Sequence, residues 1–169
     1  RKENKVIVAV ADCTGHGVPG AFMSMLGIAF LNEIVNKTVV IRPNEILNQL
    51  RGQVIRSLHQ TGNEDEARDG MEMSLCIIDF DKRKLQFAGA FSPLYLIRNH
   101  ELTEIKADKM PIGIYEDEDQ SFTNHDIALN KDDLIYLFTD GYMDQIGGPR
   151  NRTFKSKYLK ELLLKIHEK

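Results

Sequence analysis

A chain of 169 residues, 42% hydrophobic and 28% charged, is long enough for one soluble domain with its own core, and its composition sets it apart from disordered and fibrous classes. A net charge of -3 excludes a general attraction to nucleic acid or an acidic membrane, and two cysteines outside any CxxC or Cys/His cluster exclude a disulfide framework and a structural zinc site. No secretory or transit sequence is visible, and the charge-free run 17–32 is apolar but short for a bilayer span, so a cytoplasmic, reducing location is expected for the domain.

The chain runs almost at once into an apolar strand and stops inside a helical pattern, so both ends are expected to be cuts through a larger protein. Residues 5–11 (KVIVAVA) form a β-branched apolar run and predict a buried strand. A Gly-rich turn follows over 14–20. Residues 21–35 are apolar on nearly every face, broken by Ser24, Asn32 and Glu33, which predicts a helix covered on several sides with Met23 and Met25 in the core. Pro43 suits the first turn of a second helix over 44–59, striped by Leu47, Leu50, Val54 and Leu58.

Residues 61–70 are polar and acidic and read as a loop. Strands are predicted over 73–80 and 85–88, joined by the turn 81–84, then over 94–98 after Pro93 and 102–106 after Asn99-His100. A loop over 110–119 precedes strands at 122–129 and 134–138. The turn Gly147-Gly148-Pro149 leads to a last helix over 156–167, with Leu159, Leu162, Leu163 and Ile166 apolar. There is no internal repeat. Hairpin-linked strands with two consecutive long helices point to an α+β fold, helices packed on antiparallel sheets, in a single domain over 1–169.

Two segments carry chemistry. In Asp12-Cys13-Thr14-Gly15-His16-Gly17 a carboxylate ends a buried strand where a Gly-rich turn opens a helix, a geometry that aims oxygen ligands at a hard divalent cation. The alternative is that Asp12 only caps the helix. Thr139-Asp140-Gly141, with Asp144 behind it, again ends an apolar strand in a carboxylate; alone it is a common turn signal. If the two strands lie together, Asp12 and Asp140 share a metal pair. The chain has no P-loop and no GxSxG sequence.

Asp12-Cys-Thr-Gly-His-Gly-Val-Pro-Gly-Ala, Met73-Ser-Leu, Ala88-Gly89 with Pro93-Leu94, Met110-Pro-Ile-Gly and Leu137-Phe-Thr-Asp-Gly-Tyr-Met-Asp occur in an order that resembles the sporulation-protein-E type of bacterial phosphatase, within the metal-dependent PPM class. The resemblance covers essentially the whole chain. It implies an antiparallel β-sandwich flanked by helix pairs, incomplete here. It also implies hydrolysis of phosphoserine or phosphothreonine by a two-metal Mn²⁺ or Mg²⁺ site. The implied setting is bacterial signal transduction and sigma-factor regulation, with a phosphorylated anti-anti-sigma-like protein as substrate. An upstream sensory or helical module is implied as controller, with residues 21–59 as its control surface and a membrane anchor conceivable in the full-length protein. Carried over by position, the metal ligands are Asp12, the Cys13 carbonyl and Asp140. The family's further aspartates, before the first strand and near the C-terminus, lie outside this chain. Ala90 stands where many relatives have His, which is expected to alter substrate contacts.

His16 is the candidate acid for the leaving serine oxygen, against the reading that it only hydrogen-bonds backbone. Asp69, Glu72 and Asp144 read as solvated turn and strand-end charges before they read as supports of the metals. Cys76 reads as a small core residue, and Arg150, Arg152, Lys155 and Lys157 as a solvated basic face. The alternative function is a non-catalytic partner-binding module of the same fold. A third is a hydrolase of small phosphate esters.

Overall fold

The computed structural model describes residues 4–37, 42–63, 68–115, 120–148 and 151–166. In chain order the elements are β1 (Lys5–Cys13), α1 (Gly17–Lys37), α2 (Pro43–Ser57), β2 (Met71–Asp79), β3 (Lys84–Ala90), β4 (Leu94–Arg98), β5 (Glu101–Ile105), β6 (His125–Ala128), β7 (Leu134–Tyr136), a 3₁₀ turn Asp140–Tyr142, β8 (Ile146–Gly147), β9 (Arg152–Thr153) and α3 (Lys155–Ile166). The strands form two antiparallel sheets, β1-β2-β3-β6 and β5-β4-β7, with β8 and β9 as a separate small hairpin.

The two-residue period of a strand decides the layers. On β2, Met71, Met73, Leu75 and Ile77 point one way and join Ile46, Leu47, Leu50 and Val54 of α2 and Met23 and Ile34 of α1. Cys76 points the other way and meets Leu85, Phe87, Leu94 and Leu96 between the sheets. On β4 the phase repeats: Leu94 and Leu96 face the sandwich interior, while Tyr95 and Ile97 take Leu159 and Leu163 of α3. The result is a sandwich with the α1–α2 pair on one face and α3 on the other. Burying each of the α2 side chains Ile46, Leu47, Leu50 and Val54, none more than 1% exposed, contributes roughly 1.5–3 kcal/mol.

Five expectations change. The first strand is not buried: no residue of β1 is, and Val8 is 38% exposed. The helix over 21–35 begins earlier, at Gly17, and is not covered on several sides: Met23, Gly27 and Ile34 are buried, but Val18, Phe22, Met25 and Ile28 are each more than 60% exposed. Met25 is therefore not a core residue. The reason is local. Gly27 sits so close to β2 that an added Cβ would lie 2.9 Å from Met71 Cε, and the side chains on the opposite face reach outward. By length and composition α1 passes for a membrane span, longer than the charge-free run suggested, but its buried stripe seats it on α2 and the sheet.

The strand expected over 122–129 is confined to β6, because Phe122 N–H donates to Asn48 Oδ1 (3.0 Å) and Thr123 N–H to Asp108 Oδ2 (2.7 Å) and not to a ladder. The strand over 134–138 likewise stops at Tyr136, since the Phe138 carbonyl is taken by a serine described below. Where only a Gly-rich turn was expected, Ile146–Gly147 pairs with Arg152–Thr153 as β8 and β9. Parts of the loops over 61–70 and 110–119, together with Pro149, Arg150 and His167, lie outside the described residues.

Candidate active site

β1 continues through Asp12 and Cys13, so Asp12 lies within the ladder, directly opposite Glu72 of β2. It does not cap α1, which starts only at Gly17. The alternation of β1 turns Cys13 toward the helix side, where its side chain packs against the α1–α2 core, and Asp12 toward the other face. The thiol of Cys13 is thus directed away from the carboxylates.

The turn after β1 is built by close contact. Thr14 N–H donates to Gly70 O (3.0 Å), Gly70 N–H donates to Thr14 Oγ1 (3.0 Å), and Thr14 Oγ1 donates to Asp69 Oδ1 (3.2 Å). Asp69 is therefore a clamp on the turn. Gly15 takes φ +85° and Gly17 φ +61°, the left-handed region that glycine enters without a steric cost. A Cβ on Gly20 would lie 2.8 Å from Gly15 O, so the helix start folds back tightly on the turn. His16 is exposed between these glycines and makes no side-chain hydrogen bond among the described residues.

Asp140 arrives from the second sheet. After β7 the chain leaves the ladder, and Asp140 opens a 3₁₀ turn whose first carbonyl accepts from Met143 N–H and Asp144 N–H (2.9 Å for the latter). Two buried serines fix where this happens. Ser74 Oγ of β2 donates to Ser92 O (2.8 Å) and lies 2.9 Å from Ser92 Oγ, which donates to Phe138 O (2.9 Å). Ser74 is two residues from Glu72 and Phe138 two from Asp140, so this chain of contacts ties the carboxylate-bearing ends of the two sheets together. A buried hydroxyl needs such partners, which is why serine is found in an otherwise apolar strand.

Glu72 registers the outcome. Its carboxyl is pushed above the usual carboxylate range, first by burial and then by the negative charges of Asp140 and Asp12. Asp12 and Asp140 thus lie within electrostatic reach of Glu72, and no ion pair among the described residues involves any of the three. Carboxylates without ion-pair partners fit a hard divalent cation in charge and ligand type. Among the described residues, no three His, Cys, Asp or Glu side chains come close enough to hold a metal ion by themselves. Asp12 and Asp140 fit as part of a coordination shell, with Glu72 beside them.

The sequence reading placed Glu72 among solvated strand-end charges; the structure half-buries it next to Asp12. It gave Ser74 and Ser92 no role, although a serine inside MEMSLCIID is itself a sign of a buried partner. Ala90, which stands where many relatives have His, is fully buried against the α2 core. Asp144 is exposed on the 3₁₀ turn. Arg152, Lys155 and Lys157 are exposed as expected.

The profile of the family described as Stage II sporulation protein E (SpoIIE) matches residues 2–169. Two Bacillus subtilis (strain 168) proteins are similar: phosphoserine phosphatase RsbP, 28% identical over 145 residues, and phosphoserine phosphatase RsbU, 27% identical over 145 residues. These alignments take in 84% and 83% of this chain but 34% and 40% of the relatives, so the chain spans well under half of either curated protein. Among solved structures, the SiaA-PP2C domain of Pseudomonas aeruginosa superposes with a TM-score of 0.85 at 30% identity, over 97% of this chain and 62% of that one. The sandwich, the helix pair and the profile match agree: the chain belongs to the Stage II sporulation protein E (SpoIIE) family and has the fold of a PP2C domain.

Proposed function

We propose that this domain is a metal-dependent protein serine/threonine phosphatase whose substrate is a regulatory phosphoprotein of the anti-anti-sigma type. The observation that carries the proposal is the tie of Asp140 by the Ser74–Ser92–Phe138 contacts to the sheet end where Asp12 faces Glu72, with no ion pair to these carboxylates among the described residues. Asp12, the Cys13 carbonyl and Asp140 are the residues that hold the metal ions, Mn²⁺ or Mg²⁺. When bound, the metals supply an activated water and neutralise charge on the phosphoryl oxygens. Asp12 is fixed at the end of a hydrogen-bonded strand and Asp140 in a 3₁₀ turn whose approach is held by Ser92. Glu72 adds negative charge beside them. His16, exposed four residues after Asp12, is the proposed proton donor to the departing serine or threonine oxygen.

The domain is proposed to work in the cytoplasm, under a helical or sensory module of the same protein. The exposed apolar face of α1, with Val18, Phe22, Met25 and Ile28, supports a control surface on the first helix pair. A non-catalytic, partner-binding role is the second reading, favoured by the absence of a complete ligand cage among the described residues. Mn²⁺ titration by calorimetry separates the two. Catalysis requires binding that weakens at least about 100-fold in Asp12→Ala and Asp140→Ala, beyond the 10–100-fold cost of losing a supporting group. Full-length protein that takes up no Mn²⁺ or Mg²⁺ sinks the phosphatase reading.

A further inference from the structure

β3 ends in a turn that holds an aromatic residue in a conformation such residues rarely adopt. Phe91 has φ +58°. Ser92 N–H donates to Ala90 O (2.7 Å) across it, which makes Phe91 the centre of a three-residue turn of the strained hand. A bulky side chain in the left-handed region persists only where its surroundings compel it. Here they do. Phe91 N–H donates to Asp108 O (2.9 Å), and Asp108 N–H donates to Gly89 O (3.0 Å). Gly89 has no room for a side chain, since a Cβ would lie 2.5 Å from Ser92 O and 2.7 Å from Ala107 Cβ. Ser92 is held in turn by Ser74 and Phe138.

The effect of the turn is to push one ring out. Ala90 is fully buried and Ser92 nearly so, yet Phe91 between them is 40% exposed. Its ring meets the half-buried Tyr115 edge-on, centroids 6.2 Å apart at 81°, which braces it at the surface. Its position matters. Met73 pairs with Ala90 in the last step of the β2–β3 ladder, so Phe91 follows at the same sheet end as Glu72, which itself faces Asp12. Its other neighbour, Ser92, holds the carbonyl of Phe138, two residues before Asp140. Phe91 therefore stands at the sheet end that carries the carboxylates, braced by Tyr115, which packs on the helix side.

A phosphoryl group bound at those carboxylates leaves the polypeptide on either side of the phosphorylated residue to run over that sheet end. A rigid, half-exposed ring offers that polypeptide apolar contact at little cost in side-chain entropy. Resting on the phosphatase reading above, we propose that Phe91, braced by Tyr115, contacts the chain flanking the phosphoserine or phosphothreonine, through an apolar residue next to it, and so selects protein over small phosphate esters.

The test is steady-state kinetics of the full-length protein with Mn²⁺ on two substrates, a phosphoserine peptide with leucine on both sides of the phosphoserine and p-nitrophenyl phosphate. Phe91→Asn removes the ring while keeping a residue that tolerates positive φ, so the turn and the melting temperature are expected to hold. The ratio of kcat/KM for peptide over p-nitrophenyl phosphate is expected to fall at least about tenfold, mainly through KM, and to recover in Phe91→Tyr. Tyr115→Ser, which leaves the turn intact, is expected to lower the same ratio by a smaller factor. An unchanged ratio in Phe91→Asn overturns the proposal, as does an equal loss on both substrates. Native protein that hydrolyses neither substrate removes the phosphatase reading and this inference with it. Native protein active on p-nitrophenyl phosphate, with a ratio indifferent to residue 91, removes this inference alone.

Discussion

Ser74 illustrates how much a single buried hydroxyl decides. It is fully buried, and its contacts to Ser92 are what tie Phe138, two residues before Asp140, to the end of the first sheet. Ser74→Ala leaves Ser92 O without its donor, so we expect a loss of about 1–3 kcal/mol in urea denaturation together with weaker Mn²⁺ binding. A variant as stable and as metal-competent as the native protein contradicts this role. Cys76, buried in the same strand, has its thiol pushed up to about 12 by burial, so it is expected to resist alkylation in the folded state while the half-buried Cys13 reacts first. Equal labelling of both thiols in folded protein goes against that. Asp12 and Asp140 were legible in the sequence because each ends an apolar run at a glycine turn. Glu72 and Ser74 were not. Their meaning depends on the register of β2 against β1, about sixty residues away, and on a serine in a different sheet.

Between elements, the tie from β4 to the loop before β7 is ionic. Arg98 Nε and Nη2 donate to the two oxygens of Asp133 (2.9 and 2.7 Å), and Asn130 N–H donates to the same carboxylate (2.8 Å). The hydrogen bond from Arg98 is the main reason the Asp133 carboxyl lies below the usual range. A carboxyl depressed on folding contributes stability above its unfolded pKa of about 3.9 and loses that contribution as pH falls through the folded value. Asp133→Asn is therefore expected to lower the melting temperature at pH 7, with the gap to the native protein closing as the pH drops below about 4. A gap that is constant with pH shows that the tie is not electrostatic.

Period and punctuation made α2, β4 and α3 legible nearly to the residue, since Pro43 starts one helix and the leucine stripes fix the faces. The full length of β6 and β7 was not legible. Their apolar patterns run on, but the backbone of 122–123 and of Phe138 is claimed by side chains, Asn48, Asp108 and Ser92, that no local pattern shows. The burial of α1 failed for a related reason: an all-round apolar helix predicts cover, and composition does not say which molecule or segment supplies it.

At the scale of the molecule, two sheets and their helices bring together carboxylates that start on different layers. Asp12 and Glu72 come from the neighbouring strands β1 and β2 of one sheet, Asp140 from the exit of the other. The chain corresponds to 34% and 40% of its two curated relatives. The measurement that tests the central claim most directly is phosphate release from a phosphoserine protein by the full-length protein, with Mn²⁺ and after chelation. Activity that requires Mn²⁺ and falls at least about 100-fold in both Asp12→Ala and Asp140→Ala, each still folded, is the result predicted. Turnover that survives chelation or either substitution contradicts a metal-dependent phosphatase centred on Asp12 and Asp140.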